Sequence, residues 1–172
     1  YRLKAVDTSG NESDYSSNDA SVYVPGVYTV KTDGSGEYTT IQAAIDAASG
    51  GDIVSVSAGT YVENIDFKEK NIAVRGENRE TTIIDGNQAG SVVTISGGGG
   101  STSELSGFTI KNGKSDRGGG IYCYNTLPSL HHLTITENST IGANTAGAGL
   151  YLMAPNNSAH MKLESIEFVS NH

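Results

Sequence analysis

Tryptophan is absent from this chain of 172 residues, and aromatic residues of all kinds make up 7% of it. The hydrophobic core must therefore be built from aliphatic side chains. The chain has one cysteine, Cys123, so no internal disulfide can form, and such low cysteine use is compatible with any redox compartment. Proline occurs three times, whereas 22 glycines are spread among β-branched runs, which is typical of tight turns between short strands.

Positive charge is also scarce. The 11 Lys and Arg residues face 19 Asp and Glu residues, which gives a net charge of −8 and no clustered basic surface. We therefore expect no binding to nucleic acid. No apolar run approaches the roughly 18 residues of a transmembrane helix, so we expect no membrane insertion. The chain starts at Tyr1 and stops at His172 inside strand-like runs, and we expect it to be part of a longer protein.

A short amphipathic helix followed by a strand is predicted within residues 38–65. Thr39 and Gln42 have the spacing of a capping box, which predicts where the helix begins. Gly50 and Gly51 predict where it ends, because glycine adopts the left-handed conformation at low cost. We expect the helix to cover the open end of a stack of strands. Four residues form its apolar stripe at i, i+3, i+4 and i+7: Ile41, Ala44, Ile45 and Ala48.

Short apolar alternations separated by turns fill the rest of the chain, and no further helical pattern occurs. Strands in such number predict a solenoid or another all-β domain. The predicted strands are Val27–Val30, Ile53–Val56, Tyr61–Ile65, Ile72–Val74, Thr82–Ile84, Val92–Ile95, Leu105–Ile110, Ile121–Cys123, Leu130–Ile135, Leu150–Leu152 and Leu163–Val169.

Internal repetition favours the solenoid. The segment GGGIYCY at 118–124 recurs as GAGLYLM 29 residues later, and LTITEN at 133–138 recurs as IEFVSN 33 residues later. A parallel β-helix produces such repeats because each coil places equivalent residues over those of the coil before it, whereas a two-sheet sandwich does not. The predicted inward columns are Ile121 over Leu150, Cys123 over Leu152, Leu130 over Leu163, Leu133 over Ile166 and Ile135 over Phe168.

Two residues in these repeats allow a more specific expectation. Cys123 points inward by alternation, so we expect it to act as a small buried hydrophobe. Asn138 aligns with Asn171 at a turn. The two asparagines either hydrogen-bond along the stack as a ladder or serve only as left-handed turn formers.

The segments YTTIQAAIDAAS, DIVSVSAGTYVENI and VRGENRETTIIDGN together resemble a known family. They are similar to the N-terminal cap and first coils of the pectin-lyase-like right-handed parallel β-helix superfamily, to which pectin methylesterases belong. The later GGGIY and GAGLY units resemble right-handed β-helix repeat proteins and polymorphic outer-membrane adhesins. The resemblance covers about residues 28–171. It implies an all-β fold, a right-handed parallel β-helix with an N-terminal capping α-helix.

Residues 1–25 form a separate unit in this interpretation. Two alternating runs flank a polar turn there and resemble the closing hairpin of a fibronectin type III domain. The alternative is a simple extended leader. Pro25 and Gly26 mark the boundary, so residues 26–172 are expected to form the β-helix, truncated at its C-terminal end. We expect the open last coil to promote self-association.

The resemblance does not carry a catalytic site into this chain. Pectin methylesterases use two aspartates and an arginine in motifs of the types QDT and DFIFG, and neither motif occurs here. Pectate lyases bind Ca²⁺ through several carboxylates, so Ca²⁺ is the cofactor that the resemblance raises. The nearest acidic cluster is Glu63, Asp66 and Glu69, whose spacing does not force convergence, and a solvated face is the favoured interpretation. We predict no catalytic residue and no metal ligand.

Two other groups of residues could carry chemistry. Arg117 lies in a glycine-rich turn, but a lyase base there would need a neighbouring metal and substrate contacts that the sequence does not identify. The histidines His131 and His132 are adjacent. Because successive side chains on a strand face opposite ways, we expect them not to share a metal ion. The glycines at 97–100 lack the aspartates of calcium-binding nonapeptide repeats and predict a turn.

The remaining candidate site is a binding surface. Tyr122 and Tyr151 should point outward from adjacent coils, about 4.8 Å apart along the axis, and Tyr124 should share their face. Exposed rings on a rigid sheet can stack on sugars. The alternative, which we favour slightly, is that the rings only cover the sheet and stabilise the ladder.

Two functions compete on this sequence. The first is an extracellular or cell-surface protein, of bacterial type if the fibronectin-like piece is an accessory module, that binds or processes polysaccharide. If the whole protein is an enzyme, it should be a polysaccharide lyase, glycoside hydrolase or pectinesterase, with the part present here inactive. The second is a non-catalytic adhesin-like protein with a β-helix stalk. A trimeric tailspike-like fibre would need features that the sequence lacks.

Overall fold

Fourteen short strands and one helix make up the part of the chain that the computed structural model describes, which is residues 23–97, 103–142, 145–155 and 161–172. In chain order the elements are β1 Val27–Val30, α1 Ile41–Ala47, β2 Ile53–Val56, β3 Gly59–Val62, β4 Ile65–Asp66, β5 Ala73–Gly76, β6 Thr82–Asp85, β7 Val93–Ser96, β8 Glu104–Lys111, β9 Lys114–Ser115, β10 Ile121–Tyr124, β11 Ser129–Thr136, β12 Ser139–Thr140, β13 Leu150–Met153 and β14 Lys162–Val169.

Parallel pairing joins each coil to the next. The largest sheet has the order β1-β2-β5-β8-β11-β14, and in addition β6 pairs with the second half of β8 and β3 pairs with β6. A second sheet has the order β4-β7-β10-β13, and β9 pairs with β12. Every one of these strand pairs is parallel. The predicted right-handed parallel β-helix is confirmed.

The repeats give the strand register correctly. Ile121 pairs with Leu150 in the second sheet, and Leu133 pairs with both Phe108 and Ile166 in the largest sheet. The predicted strands lie within a few residues of the observed ones. The main difference is the run 61–65, which the structure divides between β3 and β4.

Mostly aliphatic side chains fill the space between the sheets, together with the buried rings of Phe67, Phe108 and Tyr61. Ile121, Cys123 and Leu133 are fully buried, and burial raises the pKa of the Cys123 thiol to about 12, so it is an inert hydrophobe. Each fully buried aliphatic side chain contributes about 2 kcal/mol to the free energy of unfolding. The column members in the last coil differ, because Leu163 and Phe168 are each 52% exposed with no described strand beyond β14.

The recurring glycines mark turns where the chain needs them. Gly118 and Gly147 are equivalent positions of two coils and have φ of 58° and 64°, which disfavours other residues. A Cβ on Gly120 would lie 2.5 Å from the carbonyl oxygen of Gly149. The GGG and GAG motifs therefore allow neighbouring coils to approach closely.

Helix α1 covers one end of the interior, as predicted. It contacts β1, β2 and β4, and Ile41, Ala44 and Ile45 are fully buried. The predicted capping box at Thr39 is wrong by one residue, because Thr40 is the N-cap and accepts a hydrogen bond from the N–H of Ala43 at 3.4 Å.

The side chain that the capping box assigned to the helix start is used elsewhere. Gln42 bonds the backbone of Asp66 in β4 in both directions, at 2.7 and 3.1 Å. The N–H groups of Ile41 and Gln42 donate instead to the Glu63 carboxylate, at 2.9 and 3.0 Å. A residue of the short connection between β3 and β4 therefore caps the helix.

The predicted end of α1 is also displaced. The helix stops at Ala47, and Ala48 is extended with ψ of 150°. The Lys70 ammonium donates at 2.8 Å to the carbonyl oxygens of Ile45, Asp46 and Ala48. Gly51 does adopt positive φ, 93°, but beyond the helix.

Two sequence predictions fall mostly outside the described residues. The fibronectin-like hairpin over residues 1–25 falls almost entirely outside the described residues and stays a prediction, as does the boundary at 25–26. Most of the glycine run at 97–100 also lies outside them. Among the residues that are described, no helix has the length and apolar character needed to cross a membrane.

Candidate functional site

Three tyrosines lie together on the outer face of the second sheet. Alternation on β10 buries Ile121 and Cys123 and turns Tyr122 and Tyr124 outward. Tyr151 of β13 lies on the same face, because it pairs in register with Tyr122. The sequence therefore predicted correctly that the three rings share a face.

The three rings are nearly parallel to one another. The centroids of Tyr122 and Tyr151 are 5.6 Å apart and those of Tyr122 and Tyr124 are 6.3 Å apart, with 5° between the planes in both pairs. Partial burial of Tyr122, helped by the neighbouring Tyr151, raises the pKa of its hydroxyl, so the ring stays neutral. We call Tyr122, Tyr124 and Tyr151 the tyrosine face.

Polar groups border the tyrosine face. The Arg117 guanidinium lies 5.5 Å from the centre of the Tyr151 ring, within cation–π range. At the other end, Tyr124, Asn125 and Met153 help to line a shallow depression of about 260 Å³. Rings, a cation and an amide are thus available on one surface.

A second candidate region is a groove of about 450 Å³ at the corner of the largest sheet. At this corner Gly107, His132 and Ser165 occupy equivalent positions of three coils with φ of 77°, 53° and 53°. The loop 77–81 between β5 and β6 lines the other side. His131 and His132 both line the groove.

The expectation that these histidines face opposite ways is wrong. His132 adopts the left-handed conformation, which breaks the alternation of β11. The two Nδ1 atoms consequently lie 3.0 Å apart, and the rings meet at 82°.

Glu104 connects the histidine pair to Arg75. Its carboxylate accepts hydrogen bonds from both Nε and Nη2 of Arg75, each at 2.8 Å. Its Oε1 atom also lies 3.2 Å from Nε2 of His131. The Ser106 hydroxyl also donates to Oε1, at 3.2 Å. The hydrogen bonds from Arg75 hold the pKa of Glu104 below its usual range against the effect of partial burial.

The sequence did not identify this network, although part of its signal was present. Arg75, Ser106 and His131 occupy one register column. The similarity of FTIKN at 108–112 to LTITE at 133–137, 25 residues later, implies the Ser106–His131 part of it. The bend at His132 and the loop 77–81 depend on backbone conformation, which the apolar repeats do not encode.

The three acids considered for Ca²⁺ have separate roles. Glu63 caps α1, the Asp66 carboxylate accepts the N–H of Lys68 at 2.8 Å, and Glu69 is an exposed turn residue with φ of 59°. Across the described ranges, no three side chains of His, Cys, Asp or Glu come together so as to hold a metal ion by themselves.

Comparison with known proteins matches the first half of the β-helix. The chain is 44% identical to "Probable pectinesterase/pectinesterase inhibitor 17" of Arabidopsis thaliana over 62 residues, which are 35% of this chain and 12% of that protein. "Pectinesterase 2" of Citrus sinensis is 47% identical over 64 residues, 35% of this chain and 12% of that protein. "Pectinesterase" of Daucus carota is 39% identical over 71 residues, 38% of this chain and 22% of that protein.

These matches also define what is not shared. They span 12% to 22% of the length of these three relatives, all of which are plant proteins. They therefore support neither the bacterial origin nor the fibronectin resemblance suggested by residues 1–25. The sequence profile of the family described as "Pectinesterase" matches residues 27–112, from β1 to the end of β8, and so covers half of the chain. Together with the parallel β-helix and its capping helix, this match shows that the chain belongs to the pectinesterase family.

Proposed function

We propose that this chain belongs to an extracellular protein of the plant cell-wall type and binds pectin-like polysaccharide at its tyrosine face. The observation that carries the proposal is the set of three nearly parallel rings on the outer side of a rigid sheet. Family membership supplies the class of ligand, because the relatives are named for an activity on pectin esters.

The arrangement of the rings favours a surface that can receive a sugar. Tyr151 is displaced from Tyr122 across the strands, whereas Tyr124 is displaced from it along one strand. Centroid separations of 5.6 and 6.3 Å fit offset stacking in both pairs, in which part of each ring face is left uncovered by its neighbour. The uncovered parts are where a pyranose can make contact.

Charge and hydrogen bonding fit an acidic sugar chain. Arg117 places a cation at the edge of the tyrosine face, where it can pair with a uronate carboxylate. Asn125 offers amide groups beside Tyr124. The surface lies outside residues 27–112, the part of the chain that the family profile matches, so it is not carried over from that match.

The competing explanation is that the rings only stabilise neighbouring coils. Cross-strand aromatic pairs contribute about 0.2–1 kcal/mol each to a sheet, and this requires no ligand. The two explanations differ in one respect: a purely structural role predicts lower stability but no loss of binding when the rings are removed. In that case the chain acts as a stalk.

The test is isothermal titration calorimetry with polygalacturonate and with methyl-esterified pectin. We expect the wild type to bind, and the double variant Tyr122→Leu/Tyr151→Leu to bind about 30-fold more weakly, because each lost ring contact is worth about 1 kcal/mol. The control Tyr28→Leu removes one ring of the Tyr28–Tyr38 pair in the largest sheet and should bind as the wild type does. The proposal fails if the wild type binds neither polymer, or if the double variant binds equally well.

A further pair of measurements concerns catalysis. We expect no methanol release from esterified pectin and no unsaturated product from polygalacturonate with Ca²⁺, because neither pectin methylesterase motif occurs in the chain and the described residues contain no group of three or more side chains that could hold a metal ion. Arg117→Gln should weaken binding to polygalacturonate more than binding to highly esterified pectin. Equal loss for both polymers would contradict the role of Arg117 as a carboxylate partner.

A further inference from the structure

The corner groove contains an arrangement that neither the family match nor the tyrosine face explains. Two imidazoles in adjacent positions turn their Nδ1 atoms toward each other at 3.0 Å. One of them, His131, is oriented by a carboxylate that is itself fixed by a bidentate arginine. Such a chain of contacts fixes the protonation of the ring nitrogens.

The carboxylate determines which nitrogen of His131 carries the proton. Glu104 can only accept when it is ionised, so the Nε2 atom 3.2 Å away is the N–H of His131. The lone pair on Nδ1 of neutral His131 then accepts a hydrogen bond from Nδ1–H of His132 at 3.0 Å. A metal ion between the two atoms takes the place of that proton, and His132 then carries its proton on Nε2. This carboxylate–histidine pairing is the one that orients metal-binding histidines in proteins.

We propose that His131 and His132 bind a divalent transition-metal ion, Cu²⁺ or Ni²⁺, through their two Nδ1 atoms. Two nitrogens 3.0 Å apart that each lie about 2.1 Å from one ion subtend an angle of about 90° at it. An angle of 90° suits adjacent ligands of a square-planar or tetragonal ion better than those of tetrahedral Zn²⁺.

The surroundings are compatible with a cation that water also ligates. Glu77 and Glu80 line the same groove and add negative charge. Arg79 also lines the groove, but its Nη1 donates to the carbonyl oxygen of Ser165 at 3.3 Å. Since the described residues bring no third side chain of the ligating types into position, solvent fills the remaining positions. Glu104 is a positioning residue in this site.

The test uses Cu²⁺ itself, titrated calorimetrically into the tag-free chain at pH 7.5, with the bound ion followed by electron paramagnetic resonance. We expect one saturable site and a spectrum with two coordinated imidazoles. The variant His132→Asn, chosen because asparagine tolerates positive φ, should lose this site and leave at most one coordinated imidazole. The double variant His160→Gln/His172→Gln replaces the other two histidines and should retain the wild-type spectrum and affinity.

A positioning role for Glu104 is tested with the same two readouts. Glu104→Gln should weaken Cu²⁺ binding about tenfold and change the hyperfine coupling of the bound ion, which a loss of stability alone would not do. Thermal denaturation of each variant without the metal separates a folding defect from a binding defect. The proposal is overturned if the folded wild type binds no Cu²⁺ with two imidazoles, or if His132→Asn binds as tightly as the wild type.

Discussion

The side-chain amide of Asn138 donates from Nδ2 to Oδ1 of Asn171 at 3.0 Å, one coil further along the axis. The backbone N–H of Asn138 donates to the same oxygen at 3.2 Å. Toward the preceding coil, Asn138 accepts from the N–H of Gly113 at 2.8 Å and donates to the carbonyl oxygen of Ile110 at 3.1 Å. The asparagines form a ladder, and the left-handed turn positions are their neighbours Glu137 and Ser170.

The first prediction follows from the burial of Asn138. Asn138 is fully buried, so Asn138→Ala leaves the N–H of Gly113 without its partner and removes the side-chain hydrogen bond to Oδ1 of Asn171, which still accepts the backbone N–H of residue 138. We expect the free energy of unfolding to fall by about 3 kcal/mol, since each buried unsatisfied group costs about 1–3 kcal/mol. Urea denaturation of the wild type and the variant measures this change in the free energy of unfolding.

The matched control is the residue beside it. Glu137 is exposed and has φ of 55°, so Glu137→Asn should leave stability unchanged or raise it by a few tenths of a kcal/mol. A loss at Glu137 as large as that at Asn138 would show that turn conformation, and not the ladder, determines stability here.

Much of the fold was predictable because successive coils of a β-helix place similar residues at equivalent positions, so the sequence repeats indicate the strand register. Ile121, Cys123 and Leu133 recur one coil later as apolar residues, so both the strands and their partners could be read from the repeats. The tyrosine face followed from the same register. Its function did not, because outward aromatic residues satisfy a structural and a binding role equally well.

The parts that could not be predicted depend on contacts without a periodic signal. Glu63 and Lys70 cap α1 from about 20 residues away in sequence, and local capping rules consider only neighbours within the helix. His132 breaks strand alternation through a positive φ that only the folded corner imposes. Alternation arguments fail at such corners.

The second prediction concerns Glu63. Its carboxylate accepts two N–H groups of the first turn of α1, where negative charge is also favoured by the helix dipole. We expect Glu63→Ala to lower the free energy of unfolding by about 1–2 kcal/mol and Glu63→Gln by less, because the amide keeps one acceptor. Chemical denaturation provides the measurement.

A suitable comparison for this cap is an acid on the opposite end of the β-helix. Glu167 in β14 is exposed, and Glu167→Ala should change the free energy of unfolding by no more than about 0.5 kcal/mol. If Glu63→Ala proves equally neutral, the cap contributes nothing to stability.

The third prediction concerns pH and Asp52. The Tyr23 hydroxyl and the N–H groups of Ser49 and Gly26 donate to its carboxylate, the last two at 2.8 and 2.7 Å. These hydrogen bonds, led by that from Tyr23, lower the pKa of Asp52 against the opposing effect of burial. The stabilisation is therefore complete above the ordinary aspartate pKa of about 4 and is lost as the pH falls through the lowered value.

Urea denaturation between pH 2.5 and pH 7 tests this sign. Asp52→Asn should be less stable than the wild type at pH 7, and the two should converge at the acidic end. The carboxylate of Asp116 is exposed and accepts the Ser115 hydroxyl at the long distance of 3.4 Å, so Asp116→Asn should change stability little at any pH in this range. Parallel curves for Asp52→Asn and the wild type would contradict the linkage.

The last prediction concerns the outer edge of β14. This strand pairs with β11 and with no other described strand, and Leu163, Phe168 and Val169 are 52%, 52% and 41% exposed. An unpaired edge with apolar side chains favours strand addition by a second copy.

Sedimentation velocity should show association of the wild-type chain that increases with concentration. The variant Leu163→Lys/Val169→Lys should reduce it, because lysine on an edge strand opposes pairing, whereas Ile141→Lys, at an exposed residue after β12, should not. A strictly monomeric wild type at high concentration would rule out this interface.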